Sequence, residues 1–416
     1  METDHVIIGG GPAGIFAALT AADLGKRCVI LEQHGQIGKK LRITGKGRCN
    51  VTNNCSQQDF LLHIPTNRSF LYSALSRCSP QDVMDFFEQQ GVALKTERGN
   101  RVFPVSDRAE DIVTALQRAL RARNIPVIRA KAKHLILKDG ICTGVQTTDG
   151  TIYSAQSVLL ATGGASYPAT GSTGDGYRLA KEVGHTIVPP TPSLVPFVTK
   201  ETWCRDAMGL SLRNITLRLY DGTDCIFSDL GELLFTHFGV SGPLVLRASA
   251  HIPQMEPNRY RLELDVKPAL SQQQLDLRIQ RDLQTYANQD FGNLMRKLLP
   301  AKLIPVAAGL AEIPLSEKGN SVTRMQRRKL VQVLKAIPLE IQGFRPLAEA
   351  IVTRGGISVK EISAKTMASK LVPGLYFAGE LIDVDGYTGG FNLQIAFATG
   401  HSAGLAMGSA RTNRFV

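Results

Sequence analysis

Three glycines and one acid near the start of the chain are spaced for nucleotide chemistry: Gly9, Gly11 and Gly14 in the run GGGPAG, and Glu32 at the end of the next apolar segment. Gly9 permits a tight turn, Gly11 lets backbone approach a pyrophosphate, and Gly14 allows helix and strand to pack closely. The N-terminus of the helix that follows would direct free N–H groups and the positive end of its dipole at phosphate, and Pro12 and Ala13 in the turn join the cofactor-binding set. Glu32 can accept hydrogen bonds from ribose hydroxyls and argues against a 2′-phosphate, so the pattern selects FAD or NAD over NADP. The elements that must position these residues follow from the pattern of apolar residues. Residues 6–8 and 28–31 read as buried parallel strands, and residues 15–24 as an apolar helix between them.

A second constellation lies far along the chain, in GLYFAGELIDVDGYTGGFNLQ at 374–394. An apolar strand ends at Gly379 and Glu380, with Asp383 just beyond. Gly390, Phe391 and Asn392 then open a helix over 393–408. In glutathione-reductase-like flavoproteins such a strand reaches the ribityl chain and pyrophosphate, and the next helix points its N-terminus at the N1–C2=O edge of the flavin. The reduced flavin carries its negative charge there, so the helix dipole stabilises it. The two constellations together favour FAD over NAD as the tightly held dinucleotide. A further apolar strand over 157–161 runs into Thr162 and Gly163, which join the cofactor-binding set.

TGKGRCNVTN at 44–53 follows the first strand–helix–strand unit. Gly45 and its neighbours can wrap a phosphate or the flavin edge, Arg48 can neutralise charge, and Asn50 can hydrogen-bond the cofactor. Cys49 is the cysteine set in a functional loop; beside an arginine and partly exposed, its thiol could serve as an acid, but the residues favour an inert packing cysteine. His237, in LFTHFGVSGPL, would bind substrate or shuttle a proton, the alternative being a hydrogen-bonded structural histidine. The loop 171–176 resembles a phosphate cradle but lacks the strand and acid of a second nucleotide unit. No spacing of histidine, cysteine or acid suggests a metal.

At 416 residues the chain is long enough for two or three domains. No apolar run approaches the ~20 residues a membrane helix needs. The first strand starts too early to leave room for a signal peptide. Seven scattered cysteines without a CxxC pair fit reduced thiols, so the expected location is cytoplasmic. The net charge of +12 is high for an enzyme of small molecules. Residues 98–133 carry nine basic and three acidic side chains, and Arg324, Arg327, Arg328, Lys329 and Lys335 share a helical segment. Either these clusters are a solvated surface or they meet a polyanion, most readily RNA.

Helices are expected over 81–90 and 109–123, an antiparallel meander over 134–154, and a stiff linker at Pro189, Pro190, Thr191 and Pro192. Short alternating segments dominate 194–266, and the pattern turns helical and basic over 271–334. The fold class is therefore α/β: a Rossmann FAD domain (1–190 and 341–416) interrupted by a β-rich, barrel-like domain (191–270) and a small helical one (271–340).

The motifs GGGPAG, TGKGRCNVTN, ATGG, GELLFTHFGVSGP, TRGGI and LYFAGELIDVDGYTGGFN resemble, in order and over nearly the whole chain, the BaiN/RdsA-type bacterial flavoproteins. These are also called NAD(P)/FAD-dependent oxidoreductases or aminoacetone-oxidase-like enzymes. The resemblance implies a glutathione-reductase-like FAD domain. It also places Gly11, Ala13, Glu32, Lys40, Gly45, Arg48, Asn50, Gly379, Asp383, Gly390 and Asn392 around FAD. Family members are described as ribosomal-RNA dihydrouridine synthases, amine oxidases or reductases of small ring ketones and alkenes. The leading expectation is NAD(P)H-driven hydride transfer to an activated C=C, with a uracil of ribosomal RNA as acceptor and Cys49 or His237 as acid. The alternatives are a small-amine oxidase that uses oxygen and a flavin-stabilised RNA-binding factor without turnover. Oligomeric state is not expressed in the sequence.

Overall fold

The computed structural model describes residues 3–409, which divide into two compact units, 3–193 with 346–409, and 194–345. In the first unit a five-stranded parallel sheet runs in the order Leu375–Phe377, Ser157–Leu160, His5–Ile8, Cys28–Glu32, Val127–Arg129. His5–Ile8 and Ser157–Leu160 are buried along their whole length, as strands covered on both faces must be. The helix Pro12–Asp23 follows the first strand and packs against the C-terminal helix Phe391–Ser409. Their backbones come very close: a Cβ at Gly400 would lie 2.2 Å from the carbonyl oxygen of Ala13. Phe16 and Phe397 fill the adjoining layer, with ring centroids 4.4 Å apart. The sequence thus builds one buried helix pair from residues almost four hundred positions apart, and this pair fixes both glycine turns to the same sheet.

The second unit holds a closed six-stranded antiparallel barrel and a helical region. The barrel strands are Phe197–Thr199, Gly239–Ser241, Asp224–Thr236, Ser211–Asp221, Tyr260–Asp265 and Ile337–Phe344. Alternation supplies the apolar interior face: Ile337, Leu339 and Ile341 are buried while Pro338, Glu340 and Gln342 are exposed. The helical region places Leu275, Ile279, Phe291, Leu330 and Leu334 in a separate core. Its helices Gln272–Thr285 and Arg324–Lys335 each start with a capping box, Ser271 with Gln274 and Thr323 with Gln326. The α/β class with barrel and helical insertions is therefore as the sequence predicts.

One expectation needs correcting. The proline-rich run at 189–192 is not a free linker but part of the strand Ile187–Ser193, paired antiparallel with Val352–Ile357. The register shifts between Val188 and Thr191, so Pro189 and Pro190, which lack an N–H to donate, fall in the irregularity. Among the described residues no helix is long and apolar enough to cross a membrane. All seven cysteines are free thiols.

Candidate active site: a dinucleotide cradle closed by two ends of the chain

The first glycine turn has the steric form its sequence demands. Gly9 has φ +114°, and a Cβ on Gly14 would fall 2.1 Å from the carbonyl oxygen of Gly9. A Cβ on Gly11, by contrast, would meet nothing within 4 Å. Gly11 is also the N-cap of Pro12–Asp23, and no side chain caps that helix. An open space before an uncapped helix N-terminus is what a pyrophosphate requires. Ala13 and Gly14 lie in the first turn and are buried there.

Glu32 is held on both carboxylate oxygens, accepting from Gly10 N (2.9 Å) and His34 N (3.0 Å). It lines a small open cleft with Gln33, Lys131, Thr162, Gly171 and Asp175. Lys131 and Asp175 are ion-paired across 2.9 Å. Gln33 fixes the far wall by donating to Gly171 O at 2.8 Å, so the 171–176 loop belongs to this cleft rather than to a second nucleotide site. Thr162 Oγ1 is buried without a partner, and Gly163 (φ +75°) continues that wall against Ser172.

The late constellation closes on the early one. Gly379 donates its N–H to Thr399 Oγ1 at 2.9 Å and faces Ala13. Lys40 Nζ donates to Glu380 Oε2 and to Ser166 Oγ, each at 2.7 Å, while Glu380 Oε1 accepts from Thr353 N at 2.9 Å. Lys40 and Glu380 therefore satisfy each other. The amide of Asn50, with its oxygen toward the helix, accepts from Gly390 N at 3.0 Å and donates to Val102 O and Thr52 O at 3.1 Å. Asn392 staples the preceding loop, accepting from Gly386 N (2.9 Å) and donating to Gly386 O (2.7 Å). Asn67 donates to the Asp383 carboxylate at 3.0 Å. Burial raises the Asp383 carboxyl above its ordinary range, with Asn67 opposing. Phe391 carries the ring of His63 stacked on it at 4.5 Å.

Other assigned residues stand differently. Arg48 is engaged by Glu97 and Asp107 and lies over the Phe103 ring at 4.0 Å, so its charge is already met by the neighbouring hairpin. Gly45 (φ +56°) and Cys49 (φ +61°) shape that loop. Cys49 is wholly buried, as a packing cysteine is, and is not the partly exposed thiol an acid would need. Burial pushes its thiol up to about 12, where the neighbouring arginine was expected to lower it. His237 is exposed in the second unit, edge-on to Phe238 at 5.0 Å.

Sequence reasoning missed Asp385 altogether. It is 1% exposed, accepts from Ser193 Oγ at 2.7 Å through Oδ2, and has no partner at Oδ1. Its position two residues past Asp383 was the available signal. His63 and Ser166 gave none, because their roles depend on partners distant in sequence.

The open space at Gly11, the uncapped helix, the ribose-side acid and the unpartnered Thr162 hydroxyl fit an FAD. The fold and this cradle define a Rossmann-type, FAD-dependent oxidoreductase. The description "HI0933-like protein Rossmann domain" matches residues 3–406, and the chain belongs to that family, as the BaiN/RdsA resemblance predicts. It is 32% identical to the 3-dehydro-bile acid delta(4,6)-reductase of Clostridium scindens, covering 96% of this chain and 98% of that one. It is 30% identical to the ribosomal RNA dihydrouridine synthase of Haemophilus influenzae, covering 97% and 98%. In fold it is similar to 3-ketosteroid-delta4-(5alpha)-dehydrogenase of Rhodococcus jostii RHA1, with TM-score 0.56, 15% identity and coverage of 98% and 97%.

Proposed function

We propose that this enzyme reduces an activated C=C, with NAD(P)H as electron donor and a uracil of ribosomal RNA as acceptor. The observation that carries the reading is end-to-end similarity to two enzymes named for products or substrates of C=C chemistry, a dihydrouridine synthase and a Δ4,6-reductase. Bound FAD would supply the two-electron hydride chemistry. The chain's own residues would bind and orient it. Gly9, Gly11, Pro12, Ala13 and Gly14 would take the pyrophosphate at the uncapped helix, Glu32 the adenosine ribose, and Thr162 and Gly163 the cleft wall. Asp383, with Gly379, would meet the ribityl chain, and the N-terminal turn at Gly390, Phe391 and Asn392 the flavin edge. Lys40, Glu380, Gly45, Arg48 and Asn50 would hold these turns in place. In the substrate, hydride adds to C6 of the uracil and a proton to C5, which saturates the bond and leaves the carbonyls intact. His237 remains the proposed proton donor, and the proposed setting is the cytoplasm, where NAD(P)H and ribosomal RNA coincide.

Nucleoside mass spectrometry of ribosomal RNA from a deletion strain tests this reading: loss of a dihydrouridine is expected, and unchanged content would sink it. A second reading, reduction of a small steroid-like enone, draws on the bile acid reductase relative. Anaerobic reoxidation of the NAD(P)H-reduced flavin by an enone, but not by RNA, would select it.

A further inference from the structure

The helical region of the second unit holds eleven basic and five acidic residues between 271 and 335, half of the chain's net charge of +12. Nearly every acid there is consumed internally. Arg278 pairs with Asp282 (2.8 Å), Arg327 with Asp276 (2.8 Å), Lys318 with Asp290 (2.7 Å) and Lys329 with Glu312 (2.6 Å). Lys335 is taken by Asp265, Lys297 covers the Tyr286 ring, and Lys302 donates to Met208 O. Arg281, Arg296, Arg324 and Arg328 remain. All four are exposed, and among the described residues none of their side chains has an ion pair, a hydrogen bond or a ring contact.

Their placement is costly to the fold. Arg324 opens the helix Arg324–Lys335, whose first turn has no acid, so its charge opposes the helix dipole. Arg328 stands one turn further along the same face, and Met325 between them is 79% exposed. On the helix Gln272–Thr285, Leu277 (65% exposed) and Arg281 repeat the arrangement four residues apart. Two helices thus each present an unpaired guanidinium beside a large exposed apolar side chain. Guanidinium groups bind phosphate oxygens bidentately, and flexible apolar side chains pack on unstacked bases.

We infer that this helical region is a docking surface for single-stranded RNA, with Arg324 and Arg328 on phosphates and Met325 against a base. The inference rests on the reading that the acceptor is a uracil in RNA, and it names where that RNA is held apart from the reacting uracil.

The test uses the FAD-loaded full chain and a uridine-rich RNA oligonucleotide, with affinity measured by fluorescence anisotropy over a series of KCl concentrations. Each phosphate contact contributes about 0.7 to the slope of log affinity against log salt for single strands. The R324Q/R328Q double variant is therefore expected to flatten the slope by about 1.4. K318Q, which removes a cation already engaged by Asp290, should leave the slope unchanged. Equal flattening in both variants would mean that net charge alone matters, and it overturns the proposal, as does no flattening in either. Competition by polyglutamate as effective as by RNA would identify an acidic protein as the partner and overturn it too. Failure here is separable from failure of the proposed function. If the double variant binds RNA normally while ribosomal RNA still gains dihydrouridine, only the docking surface is wrong. If RNA binds as predicted but no uracil is ever reduced, only the reaction is wrong.

Discussion

Ser193 Oγ donates to Asp385 Oδ2 at 2.7 Å and ties the last residue of the strand Ile187–Ser193 to the loop that precedes the C-terminal helix. Asp385 Oδ1 has no partner, and Thr66 Oγ1, close enough to oppose the shift, is likewise unsatisfied. Burial raises the Asp385 carboxyl above its ordinary range, with Asp383 and Glu380 nearby and Arg354 opposing. A proton on Oδ1 would donate to Thr66 and satisfy both atoms at once.

A pH-dependent stability follows. Because the folded-state pKa lies above the unfolded one, folding favours the protonated acid. The stabilisation is complete below the unfolded value, near 3.9, and is lost as pH rises through the raised folded value. Asp385→Asn mimics the neutral form and can keep both contacts. Its thermal unfolding temperature should match wild type at acidic pH and exceed it at pH well above the folded value. A deficit that appears and grows as pH rises would show instead that the carboxyl is ionised in the folded protein.

The glycines at 11 and 14 should fail in different ways. A Cβ at 14 must displace the Gly9 carbonyl, so Gly14→Ala is expected to destabilise the fold by about 1–3 kcal/mol. Gly11→Ala meets open space in the protein, so its cofactor-free unfolding temperature should be unchanged. The added methyl would occupy room required by the pyrophosphate, so FAD affinity should fall at least tenfold, about 1.4 kcal/mol. Flavin retention after dialysis and fluorescence titration measure both; unaltered affinity in Gly11→Ala would place the dinucleotide elsewhere.

How far the sequence carried the interpretation depends on whether a requirement is local. The turn at Gly9–Gly14 and the acid at 32 were legible because their constraints act within one strand–helix–strand unit. The barrel was legible as alternation, since Ile337, Leu339 and Ile341 can face only one side. Ser193 with Asp385 and Lys40 with Glu380 were not, because their partners are 192 and 340 positions away. The acid role offered for Cys49 fails for a related reason, and the favoured packing role holds: Arg48, adjacent in sequence, turns to Glu97 and Asp107, and the thiol is left in the apolar interior. The prolines at 189–192 suggested a linker, since nothing local reveals that Val352–Ile357 returns beside them.

The Lys40–Glu380 pair links the segment after the second strand to the late constellation, with both side chains only about a fifth exposed (23% and 20%). Removing one member leaves a mostly buried charge with its other hydrogen bonds still aimed at it. Lys40→Met and Glu380→Gln should each cost about 1–3 kcal/mol, less than a fully buried pair because solvent reaches both groups. The double variant should cost clearly less than the sum. Denaturant unfolding of the four proteins gives the coupling energy, and strict additivity would mean the two groups act independently.

Cys49 supplies a decision about the proton donor. A thiol raised to about 12 and wholly buried should be unreactive to iodoacetamide in the native protein at neutral pH, whereas exposed Cys225 should be labelled. Cys49→Ala removes a buried sulfur, so a loss of about 1–2 kcal/mol in stability is expected. Flavin content should be retained, because the loop is held by Arg48 with Glu97 and Asp107 and not by the thiol. Reduction of the acceptor should continue at a comparable rate in this variant. If turnover collapses while flavin remains bound and the NAD(P)H half-reaction is intact, the thiol is the acid after all, and the buried geometry must open during catalysis.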